Sequence, residues 1–416
     1  MSPLRTFALA AAVAISLAAP SLPAISAPPA GAETQVWIDL ATHDMAGMPD
    51  MGGLGGFMMR GMGGDKGPQG YPQSRAIPAG TGRLLDIALY NSLRPGVEAQ
   101  QLVPPGLGVG KSLPLVPPVA LRSESPTQGD ELPDVEMTMR QYWGCGATVR
   151  PGQPKTMTIK VKDGQMQASG GLAAGVFVPD RDIDAKESYA LWPNKKNTKR
   201  VSDRSSMIGQ HQISGDGVPE SLKFELGQNA DFMPNIALSS TGELADKIDV
   251  RWQPVDRALA YFLTAMAMQD ERNFVVWSSS EVAGAGNELV NYLTGSHVDR
   301  WLKQKVLLST STTSCTIPKG IFSATGQGDL GGMASLSMIA YGPETNIAWP
   351  PRPADPKMRW DPEWNVRVRS KSTNTAMLGL DLSGMDDDAN ADDGEAQPQQ
   401  EESKGKKLLK GLLRNF

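Results

Sequence analysis

Cysteine and histidine are the scarcest reactive residues of this 416-residue chain, two of the first and three of the second. A zinc centre of the usual kind takes four Cys and His ligands or an HExxH helix, and the sequence offers neither. Gly-x-Ser-x-Gly is absent as well, so a hydrolase nucleophile elbow has no support. Ser-His-Asp chemistry could draw on His211 or His297, each isolated in the sequence, and an isolated histidine is ordinarily a surface or hydrogen-bonded residue. Paired carboxylates for glycoside cleavage are not constrained by spacing, so the sequence does not point to any pair. Long apolar runs are missing after the first residues: nothing approaches the roughly 18 consecutive apolar positions of a spanning helix. The net charge of −5 gives no reason to expect a nucleic acid or another polyanion as partner. Gly106–Ser112 ends in Gly-Lys-Ser, but prolines precede and follow it where a phosphate loop needs a strand and a helix.

What the chain has in quantity is glycine and proline, 44 and 32 residues. That composition favours turns and short strands over long helices. The start reads as a signal peptide over residues 1–32: Arg5, an apolar run Phe7 to Leu17, then small residues and prolines up to Ala30-Gly31-Ala32. The bland alternative is an uncleaved anchor. The chain is therefore expected to be exported to the periplasm, free or associated with the envelope, with no transmembrane span in its mature part. In an oxidising compartment Cys145 and Cys315 are expected to form one disulfide, the alternative being two buried free thiols.

Alternating apolar residues predict a mainly β protein of two antiparallel sandwich-like domains with short inserted helices. The first, residues 82–205, opens on Leu85, Ile87 and Leu89 alternating with Asp86, Ala88 and Tyr90. Within it Met137, Met139, Gln141 and Trp143 share one face, as do Met157, Ile159 and Val161 before the hairpin signal Asp163-Gly164. The cationic run Asn194 to Arg204 reads as a solvated loop. The second domain, residues 212–370, is centred on Asp249 to Ser280. Ile248, Val250 and Trp252 alternate there with polar residues, Pro254 ends the strand, and Tyr261, Leu263 and Ala265 resume the period. Leu289, Tyr292 and Leu293, then Val298, Trp301 and Leu302, fall at helical spacing around Gly295. Val366 and Val368, alternating with Arg367 and Arg369, predict an edge strand protected by its cations. Trp349, Trp360 and Trp364 form a proline-rich belt that either stacks on sugars, making a carbohydrate-binding protein, or caps the sandwich.

A Trp on one strand, a Pro-bearing turn and Ala-x-x-Tyr on the next, here Trp252, Pro254, Ala258 and Tyr261, resembles the start of a fibronectin type III or immunoglobulin-like sandwich. The resemblance covers about residues 220–345 and implies that Trp252 and Tyr261 pack against each other between sheets. The stretches YWGCGATVRPGQPK and SCTIPKGIF are similar to secreted proteins of Gram-negative bacteria, a likeness that bears on compartment and not on chemistry.

Two segments carry the remaining candidate sites. Residues 33–81 are read as a flexible Met/Gly-rich stretch, since from His43 to Gly64 six methionines and eight glycines occur without a period. Its sharp interpretation is copper: His43, Met45, Met48 and Met51 resemble the Met-rich copper-binding tracts of periplasmic proteins, thioether sulfur being suited to Cu(I). The bland one is a low-complexity linker. Residues 385–403 are acidic and expected to be disordered. Their Asp388, Asn390 and Asp392 mimic a calcium loop, but Asp393 stands where the glycine and Gln399 where the glutamate must be. Residues 404–416 then predict a basic amphipathic helix: Leu409, Leu412, Leu413 and Phe416 on one stripe, with Lys406, Lys407, Lys410 and Arg414 elsewhere. Its expected partner is an envelope protein, anionic lipid or the acidic run. Together these features predict a non-catalytic envelope or interaction protein, with metal handling and carbohydrate binding as the alternatives.

Overall fold

The computed structural model describes residues 32–46, 70–75, 81–118, 135–162, 165–173, 175–176, 178, 181–270, 272–323, 334–355 and 357–378. Residues 1–31 of the expected signal peptide, Met48, Met51 and everything after Leu378 lie outside these. The described residues are mainly β. In chain order the strands are β1 (Thr34–Ala46), β2 (Gly82–Asn91), β3 (Ala99–Leu102), β4 (Ser112–Leu115), β5 (Val135–Trp143), β6 (Lys155–Lys162), β7 (Gln165–Gly170) and β8 (Tyr189–Trp192). There follow β9 (Gly209–Gly215), β10 (Lys223–Leu226), β11 (Leu238–Thr241), β12 (Ile248–Trp252), β13 (Ala260–Asp270) and β14 (Asn273–Ser278). A single α-helix among the described residues, α1 (Gly295–Lys303), precedes β15 (Ser314–Ile317), β16 (Ala334–Trp349) and β17 (Trp364–Leu378). Thr294 caps α1, its side chain accepting from the His297 backbone N–H.

One ten-stranded sheet, in the order β7-β6-β5-β14-β13-β16-β17-β1-β2-β8, dominates. A four-stranded sheet, β10-β9-β3-β4, and a three-stranded sheet, β11-β12-β15, complete the fold. The large sheet is antiparallel except where β1 meets β17 and β5 meets β14, which run parallel. The strands expected in two successive domains are interleaved in it: β2 and β5 to β8 come from residues 82–205, and β13, β14, β16 and β17 from 212–378. A boundary near 205–212 therefore does not separate two sandwiches. The four-stranded sheet mixes the halves in the same way, since β3 pairs with both β4 and β9.

Alternation along each strand decides what the sheet's inner face buries. Val36, Ile38 and Leu40 of β1, Leu85, Ile87 and Leu89 of β2, and Val366 and Val368 of β17 pack with Leu113, Leu115, Ile213 and Phe224 of the four-stranded sheet. Tyr261, Leu263 and Ala265 of β13 and Leu336 and Met338 of β16 pack with Ile248, Val250 and Trp252 of the three-stranded sheet. There the ring centroids of Trp252 and Tyr261 stand 5.7 Å apart, edge to face, as expected for an aromatic pair between two sheets. The Tyr261 hydroxyl accepts from the Val255 N–H at 3.0 Å, which satisfies a donor of the turn that Pro254 opens. The backbone at Gly342 passes so close to Met233 and Ser370 that a Cβ would overlap both, and this is where β16 shifts register between Tyr341 and Glu344.

Three expectations change. Thr34–Ala46 is a strand with neighbours on both sides, so the flexible stretch expected from residue 33 does not include it. Its thirteen residues pair with β17, more than 300 positions away, a partnership that local periodicity cannot reveal. Conversely β17 is no edge strand: it lies between β16 and β1, with Arg367 and Arg369 buried. The helical spacing at Leu289 gives only a 3-10 turn, Asn287–Leu289.

Candidate functional site

The outer face of the large sheet carries the chemistry. The register sets Arg369 beside Asp39, Lys371 beside Ala41 and Thr373 beside His43, while Asp86 stands across from Asp39 on the other side. Asp39 is 1% and Arg369 4% exposed. Arg369 donates to the two Asp39 oxygens at 2.8 and 2.6 Å and to Asp182 at 2.7 Å. Arg75 approaches both carboxylates, at 3.7 and 3.6 Å. The Tyr292 ring lies 4.4 Å from the Arg369 guanidinium and 4.8 Å from the Lys371 ammonium nitrogen, a cation–π arrangement in a dry site.

Covering loops are fastened to this ladder through their backbones. Asp86 accepts from the Gln73 and Ser74 N–H groups and from the Ser74 hydroxyl. Arg75 donates to the Ile183 carbonyl at 3.0 Å, Arg367 to that of Arg181 at 3.0 Å, and Lys371 to that of Arg75 at 3.1 Å. Burial, the largest influence, raises the Asp39 carboxyl, but the charge and hydrogen bonds of Arg369, with Arg367 and Arg75, outweigh it and hold the group below its ordinary value of 3.8. Burial and then the Arg369 charge lower the Lys371 amine to about 7. Burial pushes Asp86 up to about 6 against the hydrogen bonds from Ser74 and Gln73. Asp39, Arg369 and Asp182 face one another beneath the covering loops, and Arg75 reaches from the cluster to the depression beside it.

Beyond the lid the same face opens. Thr264 and Met266 of β13 and Ser335 and Ser337 of β16, paired across the strands, floor a depression of about 500 Å³. Arg75, Asn287, Glu288, Val290 and Asn291 line the rest of it.

Further along, the face becomes apolar and rich in methionine. Met266 pairs with Val276 and Met268 with Phe274; Phe274 lies beside Met139, Met139 opposite Met157, and Met137 opposite Ile159. Register partners share a face, so these eight side chains form one surface across β13, β14, β5 and β6. None belongs to a core cluster of the described residues. Met266 is 44% and Met268 47% exposed, and the others are half-buried. The chain at Ala173 crosses the face at Gln141, its N–H donating to the Gln141 side-chain oxygen at 3.2 Å, and bounds the apolar surface there. The methionine alternation of β5 and β6 was legible in the sequence. That the two stripes are continuous with Met266 and Met268 follows only from the register.

The residues singled out in the sequence fall as follows. Cys145 and Cys315 are joined, with Cα atoms 5.2 Å apart, and tie the end of β5 to β15, the large sheet to the three-stranded one. His43 is buried on β1 rather than in a flexible tract, its Nδ1 2.8 Å from the Thr373 hydroxyl. Burial, then the charge of Lys371, lowers its pKa to about 4, so the imidazole is neutral. Met45 shares its face two residues on, half-buried. Met48, Met51 and the tail residues Lys406, Lys407, Leu409, Lys410, Leu412, Leu413, Arg414 and Phe416 lie outside the described residues. His211 is buried between Gln101 and the Met207 carbonyl and stacks on Phe224. His297 sits at the start of α1 against Thr294. Trp364 is core, Trp360 is half-buried with Arg352 over its ring, and Trp349 is exposed, so the belt is not one surface. Among the described residues no helix is long and apolar enough to cross a membrane. No family model matches the chain, and no curated protein matches it either.

Proposed function

We propose that the chain is an exported, non-catalytic interaction protein whose partner seats on the outer face of the large sheet. The observation that carries this reading is the methionine-rich surface of β13, β14, β5 and β6, apolar and partly exposed beside a polar depression. Contiguous apolar surface of this kind ordinarily marks an interaction site, and methionine side chains adapt to differently shaped partners. Asp39 and Arg369 next to it are buried and paired with each other, which favours a structural role for that pair over presentation to a substrate. The Cys145–Cys315 bond favours an oxidising compartment such as the periplasm. The Trp252–Tyr261 contact supports kinship of residues 220–345 with fibronectin type III-like sandwiches. In envelope extracts the full chain is expected to retain a protein partner that Met266→Asp/Met268→Asp loses at least tenfold. Lys160→Asp, on the opposite face, should keep it; equal retention by both variants sinks the reading.

A second reading, capture of Cu(I), has one observation in its favour. The Nε2 atom of His43 is buried with no hydrogen-bond partner among the described residues, and Met45 lies on the same face. Titration of the full chain and of His43→Gln with Cu(I) decides it: indistinguishable affinities remove the metal from consideration.

A further inference from the structure

The methionine-rich surface has an occupant within its own chain. We propose that residues 404–416 seat the stripe Leu409, Leu412, Leu413 and Phe416 on Met266, Met268, Phe274 and Met139 when no external partner is bound. The inference rests on the reading of that surface as an interaction face and adds what covers it.

Position comes first. The last described residue of β17, Leu378, pairs with Ala334 of β16, and Ala334 pairs with Ala267 of β13. Ala267 lies between Met266 and Met268, so the chain leaves the sheet level with the surface and two strands from it, about 10 Å at ordinary strand spacing. Length is the second argument. Residues 379–403 separate β17 from the amphipathic stretch. A flexible linker of about 25 residues has a root-mean-square span of about 25 to 30 Å. From β17 to β6 is five strand spacings, about 24 Å. The linker therefore matches the distance, and effective concentrations for tethers of this kind reach the millimolar range.

Chemistry is the third. An apolar stripe at i, i+3, i+4 and i+7, too short to be a stable helix alone in water, gains most from a flat apolar support. Four strands of methionine, phenylalanine and valine side chains provide one. Carboxylates border this support at Glu288, beside Met266, and at Asp270, two residues beyond Met268. Their charge is opposite in sign to that of Lys406, Lys407, Lys410 and Arg414, the cations of the amphipathic stretch.

Photo-crosslinking of the purified full chain tests this. With p-benzoylphenylalanine in place of Met268, mass spectrometry is expected to find an intramolecular crosslink into residues 404–416, its yield independent of protein concentration. Leu412→Glu/Leu413→Glu in the same chain should lower that yield at least tenfold with an unchanged circular dichroism spectrum. The crosslinker at Lys160, on the opposite face, should give no such product. Crosslinks that grow with concentration and join two copies would overturn the proposal, as would crosslinks confined to other segments. If position 268 reaches nothing in the purified chain but captures a partner in envelope extract, the tail proposal fails and the interaction face stands. If it reaches nothing in either, both fail.

Discussion

Asparagine in place of Asp39 asks whether the charge ladder is as dry as its geometry requires. The carboxylate is 1% exposed, receives two hydrogen bonds from Arg369 and lies 3.7 Å from Arg75. Asp39→Asn keeps the shape and removes the charge. Arg369 then has Asp182 as its remaining close carboxylate, with Arg367 and Lys371 buried in the same field. Breaking a buried pair by removing one partner costs about 3 to 5 kcal/mol, largely the penalty of an uncompensated charge. An exposed pair would cost at most about 1 kcal/mol. The two cases are far enough apart for urea unfolding, followed by tryptophan fluorescence, to separate them, provided the slope is unchanged between variants. The expected outcome is a midpoint shift worth at least about 3 kcal/mol. Arg369→Met in the Asp39→Asn background should cost less than the two changes summed, with a coupling of about 1 to 3 kcal/mol. The acid limb provides an internal check. Because the folded Asp39 carboxyl sits below its ordinary 3.8, its contribution is present above that pH and is lost as pH falls through the lower folded value. The gap between parent and Asp39→Asn should therefore narrow below about pH 4. A variant within about 1 kcal/mol of the parent at neutral pH, with no narrowing in acid, would refute the account of this cluster.

Three further outcomes are expected. Replacing Cys145 and Cys315 with alanine opens a loop whose ends are 170 positions apart, and the chain-entropy relation puts the loss at about 5 kcal/mol, read as the difference in urea midpoint between oxidised parent and variant; unreduced mass spectrometry with both thiols free in the parent defeats this. Gly342→Ala drives a Cβ into Met233 and Ser370, and overpacking of that kind costs about 1 to 3 kcal/mol, measurable by thermal unfolding; an unchanged midpoint means the bulge is looser than described. Lys371, at about 7 when folded against an ordinary 10.5, binds fewer protons folded than unfolded between those values, so stability should rise with pH across that interval by about 4 kcal/mol. Lys371→Met should flatten the rise, and a parent whose stability is level from pH 7 to 10.5 contradicts the assignment.

Alternation was the legible part of this fold. Ile248, Val250 and Trp252, with Tyr261, Leu263 and Ala265, predicted two strands, which form as β12 and β13, while the contact of Trp252 with Tyr261 was expected only from the resemblance. At Val366 to Arg369 the same signal was read correctly as a strand and wrongly as an edge. Apolar and charged residues alternate in the same way whether the charged face meets water or a second set of charges. What distinguishes the two cases is a partner far off in sequence: Asp39 lies 330 and Asp182 187 positions from Arg369. The parallel pairing of β1 with β17 carries no local signature either, since no turn joins them. Glycine and methionine after Ala46 made the preceding thirteen residues look flexible by association, although Val36, Ile38 and Leu40 alternate within them. The methionine surface was half legible, as two stripes, and its continuity is a property of register alone.

The distribution of charge over the outer face accounts for where the molecule is lidded and where it is open. The loops around residues 70–75 and 181–183 bring more backbone N–H and C=O groups to the sheet than apolar side chains, and such groups must find partners when buried. Aliphatic residues on β1, β2 and β17 could not satisfy them. Asp86 takes two N–H groups, and Arg75, Arg367 and Lys371 each give to a carbonyl, so the ionic ladder is what allows those loops to close. Each such bond fixes one partner in one position, so that cover is specified in register. On β13, β14, β5 and β6 the same face holds side chains without direction, chiefly methionine. A cover there gains area and no registered hydrogen bonds, so it can be exchanged for another cover of similar shape. The sheet thus separates a polar, hydrogen-bonded closure from an undirected apolar surface along its strand order, and the apolar end is where the proposed partner would compete.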